Sequence, residues 1–394
     1  MKKIILLSFI LIVIGGGIVG YRFKNNLWEP SDFSSFSSQM SNILKKDQKA
    51  EKITPFALKN MIHQTYLVAG GDIMLSRNIG YLNKTQGYDR IFKEGNFHPI
   101  SQFPWCKGQN CLLFFNLESM FHPQDNDVPL GWFIFKANVK NIETLLQLRS
   151  GHQMLLSLAN NHTSNAGHQG VVTTKEVLTE HNIPSIGLGI NKEEAREIFT
   201  WTNNGIKVCF QTYSYDGNAG VTVQGGKISR NPMKTSDILE DLKIMKTMQC
   251  DAKIISLHRG AEYRFNPNET QKNLARNLID HGADLILGNH SHVPSNFETY
   301  KGKYIFYSFG NVIFDQERGK RATERGFDYI YDYQLKRNTV PTYISLLWGF
   351  KISKIQDKTW IQLDKIAMDS TLNGTHSPLD EETFSEYLAK IDKR

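Results

Sequence analysis

The sequence predicts an α/β protein in which helices cover sheet, and two observations predict it. From Thr65 onward, short apolar runs of β type alternate with amphipathic stretches of helical period. Five of the β-like runs also end on residues of metal-ligand type. TYLVAGGD delivers Asp72, CLLFFNLE delivers Glu118, and MLLSLANNH delivers Asn160, Asn161 and His162. KIISLHRGAE presents His258 and Glu262, and DLILGNHSH presents His290 and His292. Open α/β sheets build their sites outside the carboxyl ends of their strands, so ligands this far apart in sequence can meet along one sheet edge.

Taken in order, YLVAG and CLLFFNL read as the first two strands. Residues 138–149 carry a helical period, with Asn138 in a capping position. MLLSLA is a third strand, and residues 168–182 form a helix that stops before Pro184. KVCFQTYSY and KIISL are strands around the helix DILEDLKIMKTM. NETQKNLARNLIDHG is helical, with Asn268 as N-cap and Gly282 as the stop. DLILG and KYIFYSFG follow as strands. After about residue 325 the chain turns strand-like (TYISLLWGFKIS, TWIQLDKIAM), enough to complete a second sheet, and 379–393 is an amphipathic helix. No long-period repeat is present.

The N-terminus predicts a membrane anchor. MKK precedes the uncharged run IILLSFILIVIGGGIVGY, and Arg22 and Lys24 follow it. About 18 apolar residues approach the length that spans a bilayer. No A-x-A-like cleavage site and no lipid-accepting Cys follow the run, so an uncleaved signal-anchor is expected rather than a cleaved signal peptide. The two basic residues ahead of the run favour the amino terminus inside. Either reading puts the rest of the chain outside the cytoplasm, and the signal-anchor makes it a single-pass protein of the cell membrane. The expected organisation is 1–24 anchor, 25–62 polar spacer, 63–325 main domain, and 326–394 strands and helix completing it.

Composition is ordinary for a globular chain of 394 residues, with 40% hydrophobic and 22% charged residues. The net charge of +7 is spread along the chain, and no zinc finger, arginine-rich run or RNA-reading signature is present, so nucleic acid is not an expected partner. Four cysteines are present. Cys106 and Cys111 flank the polar turn KGQN, and a small-loop disulfide or two unpaired thiols fit that spacing. Cys209 and Cys250 read as core residues. Without a C-x-x-C pair a thiolate zinc site is not indicated. GLGI at 187–190 is not a dinucleotide fingerprint, there is no Walker A sequence, and no G-x-S-x-G marks a serine hydrolase.

The candidate ligands are two carboxylates, an amide and three imidazoles. That mixture of hard oxygen and borderline nitrogen suits Mn, Fe or Zn. Extended backbone would place His290 and His292 on one face, both able to reach a metal cluster.

The series GGDIM, NLE, LANNH followed by NAG, GLGINKEEAR, HRGAEY, HGADLILGNHSHV and YSFGNVIF resembles the CapA family of bacterial capsule-synthesis proteins, over roughly residues 65–315. That family is implicated in poly-γ-glutamate capsule synthesis or export. It is itself similar to the calcineurin-like metallophosphoesterases, which have a four-layer β-sandwich flanked by helices and hydrolyse phosphate esters with two metals. The resemblance implies Asp72, Glu118, Asn161, His258, His290 and His292 as metal ligands, with Glu118 bridging, and His162 as general acid. It places Asn311 near the site. Asn160, Arg259 and Glu262 are candidates for orienting substrate by position. Three positions depart from the pattern. Met74 stands where the phosphatases have the His of D-x-H, Asn165 where relatives show Asp, and Asn289-His290-Ser291-His292 where they show H-H-P-H.

The implied cofactor is a pair of divalent transition ions. The implied partners are an anionic polymer or phosphoester substrate and capsule-synthase proteins in the membrane. A non-catalytic assembly factor, or a hydrolase of polyglutamate amide bonds, are the other functions the resemblance admits.

Overall fold

A computed structural model of the chain describes residues 62–93, 98–106, 111–124, 134–215, 222–223, 226–227, 229–264, 266–316, 342, 344–372 and 375–378. The apolar N-terminal run, the spacer up to residue 61 and the expected helix over 379–393 lie outside the described residues. No helix among the described residues is long and apolar enough to cross a membrane. The cores and the site described below belong to one compact unit, Gln64–Ser353 with Thr359–Arg394.

In chain order the main strands are β1 His63–Ile73, β2 Cys111–Leu117, β3 Gln153–Ser157, β4 Ser185–Ile186, β5 Phe199–Asn203, β6 Ile206–Ser214 and β7 Ala252–His258. They continue with β8 Leu285–Asn289, β9 Phe297–Tyr300, β10 Lys303–Phe306, β11 Asn311–Ile313, β12 Ile344–Ile355, β13 Lys358–Leu372 and β14 Thr375–Pro378. The longer helices are α1 Arg77–Gln86, α2 Ile142–Arg149, α3 Gly167–Glu180, α4 Thr235–Thr247 and α5 Glu269–Asp280. One sheet runs β14-β13-β12-β1-β2-β3-β4, with β11 also on β1, and the other runs β9-β10-β8-β7-β6-β5. Both are mixed: β1 to β4 pair in parallel, as do β6, β7, β8 and β10, whereas β5 and β9 are antiparallel to their neighbours.

Side-chain alternation explains the layering. Leu67, Ala69, Leu112 and Phe114 point to a core shared with Phe210, Ile254, Leu285 and Leu287 of the other sheet. Between them, Val68, Leu113 and Phe115 join Leu145, Val171 and Leu178 of the helices outside the first sheet. Ile255 and Ile286 pack with Ile238, Leu242 and Leu278 outside the second. The order is therefore helix, sheet, sheet, helix. Each buried Leu or Phe contributes roughly 1.5–3 kcal/mol, so strands apolar on both faces are held from both sides.

The strands after residue 325 do not build the second sheet, as the sequence suggested; β12 lies beside β1 in the first. Leu346, Trp348, Phe350 and Ile352 of β12 enter the core between the sheets while Leu347 enters the outer one, so this strand needs cover on both faces. The helix expected over 138–149 starts as a 3-10 turn, Val139–Asn141, capped by the Asn138 side chain, before α2 begins. α3 ends at Glu180, two residues early, because Asn182 turns into the left-handed region. Asn268 and Gln271 form a reciprocal capping box at the start of α5.

Cys106 and Cys111 are joined in a disulfide. Cys209 and Cys250 are buried, as expected of core residues, and also form a second disulfide that the sequence did not indicate. Cys209 on β6 stands opposite Lys253 on β7, and Cys250, two residues before β7 begins, comes alongside it, with Cα atoms 5.8 Å apart.

Candidate metal centre

The carboxyl ends of β1, β2, β7 and β8 converge. At the end of β1, the Asp72 N–H donates to the Gly310 carbonyl at 2.8 Å. Gly71 permits that approach, since a Cβ there would lie 1.8 Å from the Gly310 carbonyl oxygen. Asp72 then stands between Asn116 of β2 and Asn311 of β11. Glu118 follows β2 and is fully buried, and neither of its carboxylate oxygens accepts a hydrogen bond among the described residues. A carboxylate held this way costs several kcal/mol unless a cation compensates it.

His258, the last residue of β7, brings Nε2 to 2.8 Å from Asn161 Oδ1, 3.2 Å from Glu118 Oε1 and 3.2 Å from His290 Nδ1. One imidazole nitrogen carries at most one proton and cannot serve three acceptors. Spacings of this size are instead those between ligands bound to one ion at about 2.0–2.2 Å. On the other side of Glu118, His292 Nδ1 lies 3.4 Å from Asp72 Oδ2, and its Nε2 lies 4.0 Å from Glu118 Oε2. Two sets able to hold a cation result: Glu118, His258 and His290, and Asp72, Glu118 and His292. Glu118 belongs to both. The donor set fits a borderline divalent cation on chemistry as well as on spacing.

The electrostatics of the two sets differ. Burial pushes the Glu118 carboxyl well above its usual range, and the Asp72 charge adds to this, against the lowering effect of His292 and Arg77. Burial drives His290 down to about 3, helped by His292 and His162. Burial would also lower His292, but the Glu118 and Asp72 carboxylates outweigh it and raise the imidazole to about 9.

His290 and His292 do not lie on extended backbone as the H-x-H spacing suggested. Their φ angles are 98° and 57°. β8 ends at Asn289, so strand alternation no longer governs the two rings. The turn instead lets the His290 N–H donate to Asp72 Oδ2 at 3.1 Å. Two successive imidazoles in the left-handed region are strained backbone of the kind concentrated at functional sites.

Amides fix the rings around this centre. Asn311 Nδ2 donates to the Thr342 carbonyl at 3.1 Å and to Gln316, so its Oδ1 is free to accept from His292 Nδ1 at 3.0 Å. Asn160 Nδ2 donates to the Leu117 carbonyl at 2.7 Å and to Asn116 Oδ1 at 3.3 Å, and its Oδ1 accepts the His162 N–H at 3.0 Å. Asn116 in turn donates to Asp72 Oδ1 at 2.8 Å. His162 stacks on Phe135, with centroids 3.7 Å apart. Its Nδ1 meets Asn165 Oδ1 at 2.9 Å. Because that oxygen also accepts the Phe135 N–H, it must be the amide oxygen, and His162 donates to it from Nδ1. Arg259 is half-buried, its pKa lowered by burial, whereas Glu262 is exposed.

The motifs assign no role to Asn116 or Gln316, no bracing role to Asn165 and none to the buried pair Arg77–Asp315. Asn116 had a signal: it sits two residues before Glu118, on the same face. Met74, noted as a missing imidazole, is fully buried, and its Sδ accepts from the Ser76 N–H and hydroxyl at 3.2 and 3.0 Å.

Residues 66–316 match the family described as bacterial capsule synthesis protein PGA_cap. The chain belongs to this family. Among PGA_cap relatives it is similar to the capsule biosynthesis protein CapA of Bacillus anthracis, 28% identical over 278 residues covering 68% of this chain and 64% of that one. It is also similar to the PGA biosynthesis protein CapA of Bacillus subtilis, 28% identical over 272 residues, 68% of this chain and 67% of that one. A probable polyglutamine synthesis accessory protein of Mycobacterium tuberculosis is 25% identical over 289 residues, 64% and 74% of the two chains. The matched region thus spans about two thirds of the Bacillus relatives' length. Among solved structures, a calcineurin-like phosphoesterase from Bacillus subtilis covers 84% of this chain and 97% of its own, at 14% identity and a TM-score of 0.40. A likeness that distant decides neither fold nor chemistry.

Proposed function

We propose that this PGA_cap protein is a metal-dependent hydrolase of phosphoesterase type, acting in capsule or poly-γ-glutamate synthesis or export. The observation that carries this reading is Glu118: a fully buried carboxylate whose oxygens accept no hydrogen bond among the described residues, shared by two ligand sets. Asp72, Glu118 and His292 would hold one ion; Glu118, His258 and His290, with Asn161, the other. Bound there, such ions lower the pKa of a coordinated water and polarise a phosphoryl oxygen.

The chain's own residues do the rest. Asn311 and Asn116 orient the ligands. His162, locked by Asn165 and Phe135 with Nδ1 donating inward, leaves Nε2 as the nitrogen that carries a proton to the leaving oxygen. Arg259 and Glu262, at the rim, orient the remainder of the substrate.

The protein is anchored by its N-terminal apolar run, with its folded part outside the cytoplasm. The disulfides Cys106–Cys111 and Cys209–Cys250 support that compartment, since such pairs persist under oxidising conditions. There it would meet an anionic polymer and membrane synthase partners.

The test is metal content by plasma mass spectrometry on the full chain purified in mild detergent without a His tag, followed by a phosphoester screen. Near two ions per chain, with hydrolysis abolished in His162→Ala, are expected. Metal uptake with no turnover of any phosphoester or γ-glutamyl amide would leave a non-catalytic assembly factor. Turnover of the amide alone would make it a polyglutamate hydrolase.

A further inference from the structure

Five side chains form one hydrogen-bonded line from the metal centre to its rim. His292 Nδ1 donates to Asn311 Oδ1 at 3.0 Å, and Asn311 Nδ2 donates to Gln316 Oε1 at 3.0 Å. Gln316 Nε2 donates to the Tyr263 hydroxyl oxygen at 2.9 Å, and that hydroxyl gives its own proton to the Glu262 carboxylate. Asn311 and Gln316 are buried, Tyr263 is half-buried and Glu262 is exposed.

Every bond in the line points the same way, and its two ends fix the direction. At the inner end, the Asn311 nitrogen also reaches the Thr342 carbonyl at 3.1 Å, and a carbonyl can only accept. That atom must be the amide nitrogen, so Asn311 presents its oxygen to His292. At the outer end, the Glu262 carboxylate takes the Tyr263 proton, which leaves the phenol oxygen to accept from Gln316. Turning the Gln316 amide over would set nitrogen against nitrogen at Asn311, and at Tyr263 oxygen against an oxygen whose proton is already given away. The Gln316 backbone is held as well, since its carbonyl accepts the Thr342 hydroxyl at 2.9 Å.

Tyr263 is fixed to the ligand turn by its backbone too. Its φ of 60° is a left-handed conformation that a bulky residue rarely adopts. Its N–H donates to the carbonyl of Ser291, between the two histidine ligands, at 2.7 Å, and its ring stands 5.8 Å from that of His292. A polar network in which every member is satisfied fixes a single arrangement. We propose that Tyr263 and Gln316 are positioning residues for His292: with Asn311 they hold its proton on Nδ1 and so present Nε2 to the ion of the Asp72, Glu118 and His292 set. This rests on the metal-centre reading and extends it to two side chains outside both ligand sets.

The probe is zinc, its affinity measured by chelator competition on the full chain in mild detergent. The variants are made in His290→Ala and in His292→Ala, each of which keeps one half of the centre. In His290→Ala, adding Gln316→Leu should weaken zinc about fivefold and adding Tyr263→Phe about threefold, less than the tenfold or more that losing a ligand's direct partner costs. Gln316→Glu still turns an oxygen to Asn311 and should bind zinc at least as tightly as its parent. In His292→Ala, none of the three should change zinc affinity by more than about twofold, because their effect runs through His292. A lower unfolding midpoint with zinc affinity unchanged in the His290→Ala background overturns the proposal, since that is the mark of a purely structural network. Equal weakening in both backgrounds overturns it, and so does Gln316→Glu binding as poorly as Gln316→Leu. Should Gln316→Leu not fold, Tyr263→Phe, which loses a single oxygen, decides. Wild type that binds zinc while His290→Ala binds none sinks the relay, because no separate His292 half then exists, and leaves the metal centre standing. Wild type that takes up no zinc fails the metal-centre reading and the relay with it.

Discussion

The two halves of the centre share Glu118 but differ in charge. The half with Asp72 and His292 has two carboxylates to one imidazole, and without metal it favours a proton: His292 is raised to about 9 and Glu118 well above its usual range. The half with His258 and His290 has two imidazoles to the shared carboxylate, and His290 is pushed down to about 3. On the proposed two-ion reading both halves would displace a proton from the shared Glu118 and the first would displace another from His292, whereas the second offers His290 already neutral. The difference teaches that two ligand sets sharing one carboxylate need not be alike in what they bind.

Removing what the halves share should have the largest effect. Glu118→Gln is expected to cut metal uptake in both sets and lower activity by at least about a hundredfold, the scale for losing a central catalytic contribution. In the metal-free protein the sign reverses. Replacing a buried carboxylate that accepts no hydrogen bond with a neutral amide should raise stability by roughly 1–3 kcal/mol. Metal analysis and denaturant unfolding read the two effects. One ion retained at full occupancy would show that Glu118 does not join the halves.

Single ligand removals come next. His290→Ala and His292→Ala should each lose one of two ions, but at different pH. Protons compete for His292 as well as for the shared Glu118, so the ion of the His292 half should gain more affinity as pH rises through about 9 than the ion of the His290 half, where only Glu118 is raised and His290 is lowered. Metal titrations of the two variants from pH 6 to 9 separate them; identical pH slopes would erase the distinction.

The same groups set a smaller effect on metal-free stability. His292 has a folded pKa of about 9 above an ordinary 6.5, so its contribution is complete below pH 6.5 and lost as pH rises through 9. Glu118, also raised, acts in the same direction from its ordinary 4.5 upward. His290, lowered, acts oppositely and only on the acid side, its contribution lost as pH falls from 6.5 toward 3. Metal-free unfolding should therefore become easier between pH 7 and 9, and His292→Gln should flatten that slope. A slope unchanged in the variant would assign it elsewhere.

Much of this was legible in the sequence because period and position carry it. The continuous apolar run CLLFFNL gives a strand buried on both faces. Strand ends deliver Asp72, Glu118, His258 and the His290-x-His292 pair, though from two facing sheets rather than along one sheet edge, since β1 and β2 belong to the first and β7 and β8 to the second. What was not legible depends on contacts between distant segments. Nothing local says that Cys250 comes alongside Cys209, that β12 pairs with β1, or that Arg77 meets Asp315. The backbone of His290 and His292 is hidden for a different reason: H-x-H spacing carries no information on where a strand stops, and β8 stops at Asn289, before either ring.

The smallest effect expected is also the finest probe of the His292 half. Among the described residues the Asn311 side chain makes no hydrogen bond to a carboxylate of the two sets. It acts only by accepting the Nδ1 proton of His292 at 3.0 Å, with its own amide pinned by Thr342 and Gln316. With that proton held on Nδ1, Nε2, which faces Glu118, is the nitrogen left to bind metal. Asn311→Ala should therefore weaken one ion about tenfold and leave the other unchanged, the lower end of what losing such an orienting partner costs. Asn311→Asp should do the reverse, since a carboxylate at the same place makes the imidazole a better ligand. If Asn311→Ala weakened both ions equally, the two halves would be coupled through more than Glu118, and the asymmetry drawn from their charges would have to be carried by the whole cluster.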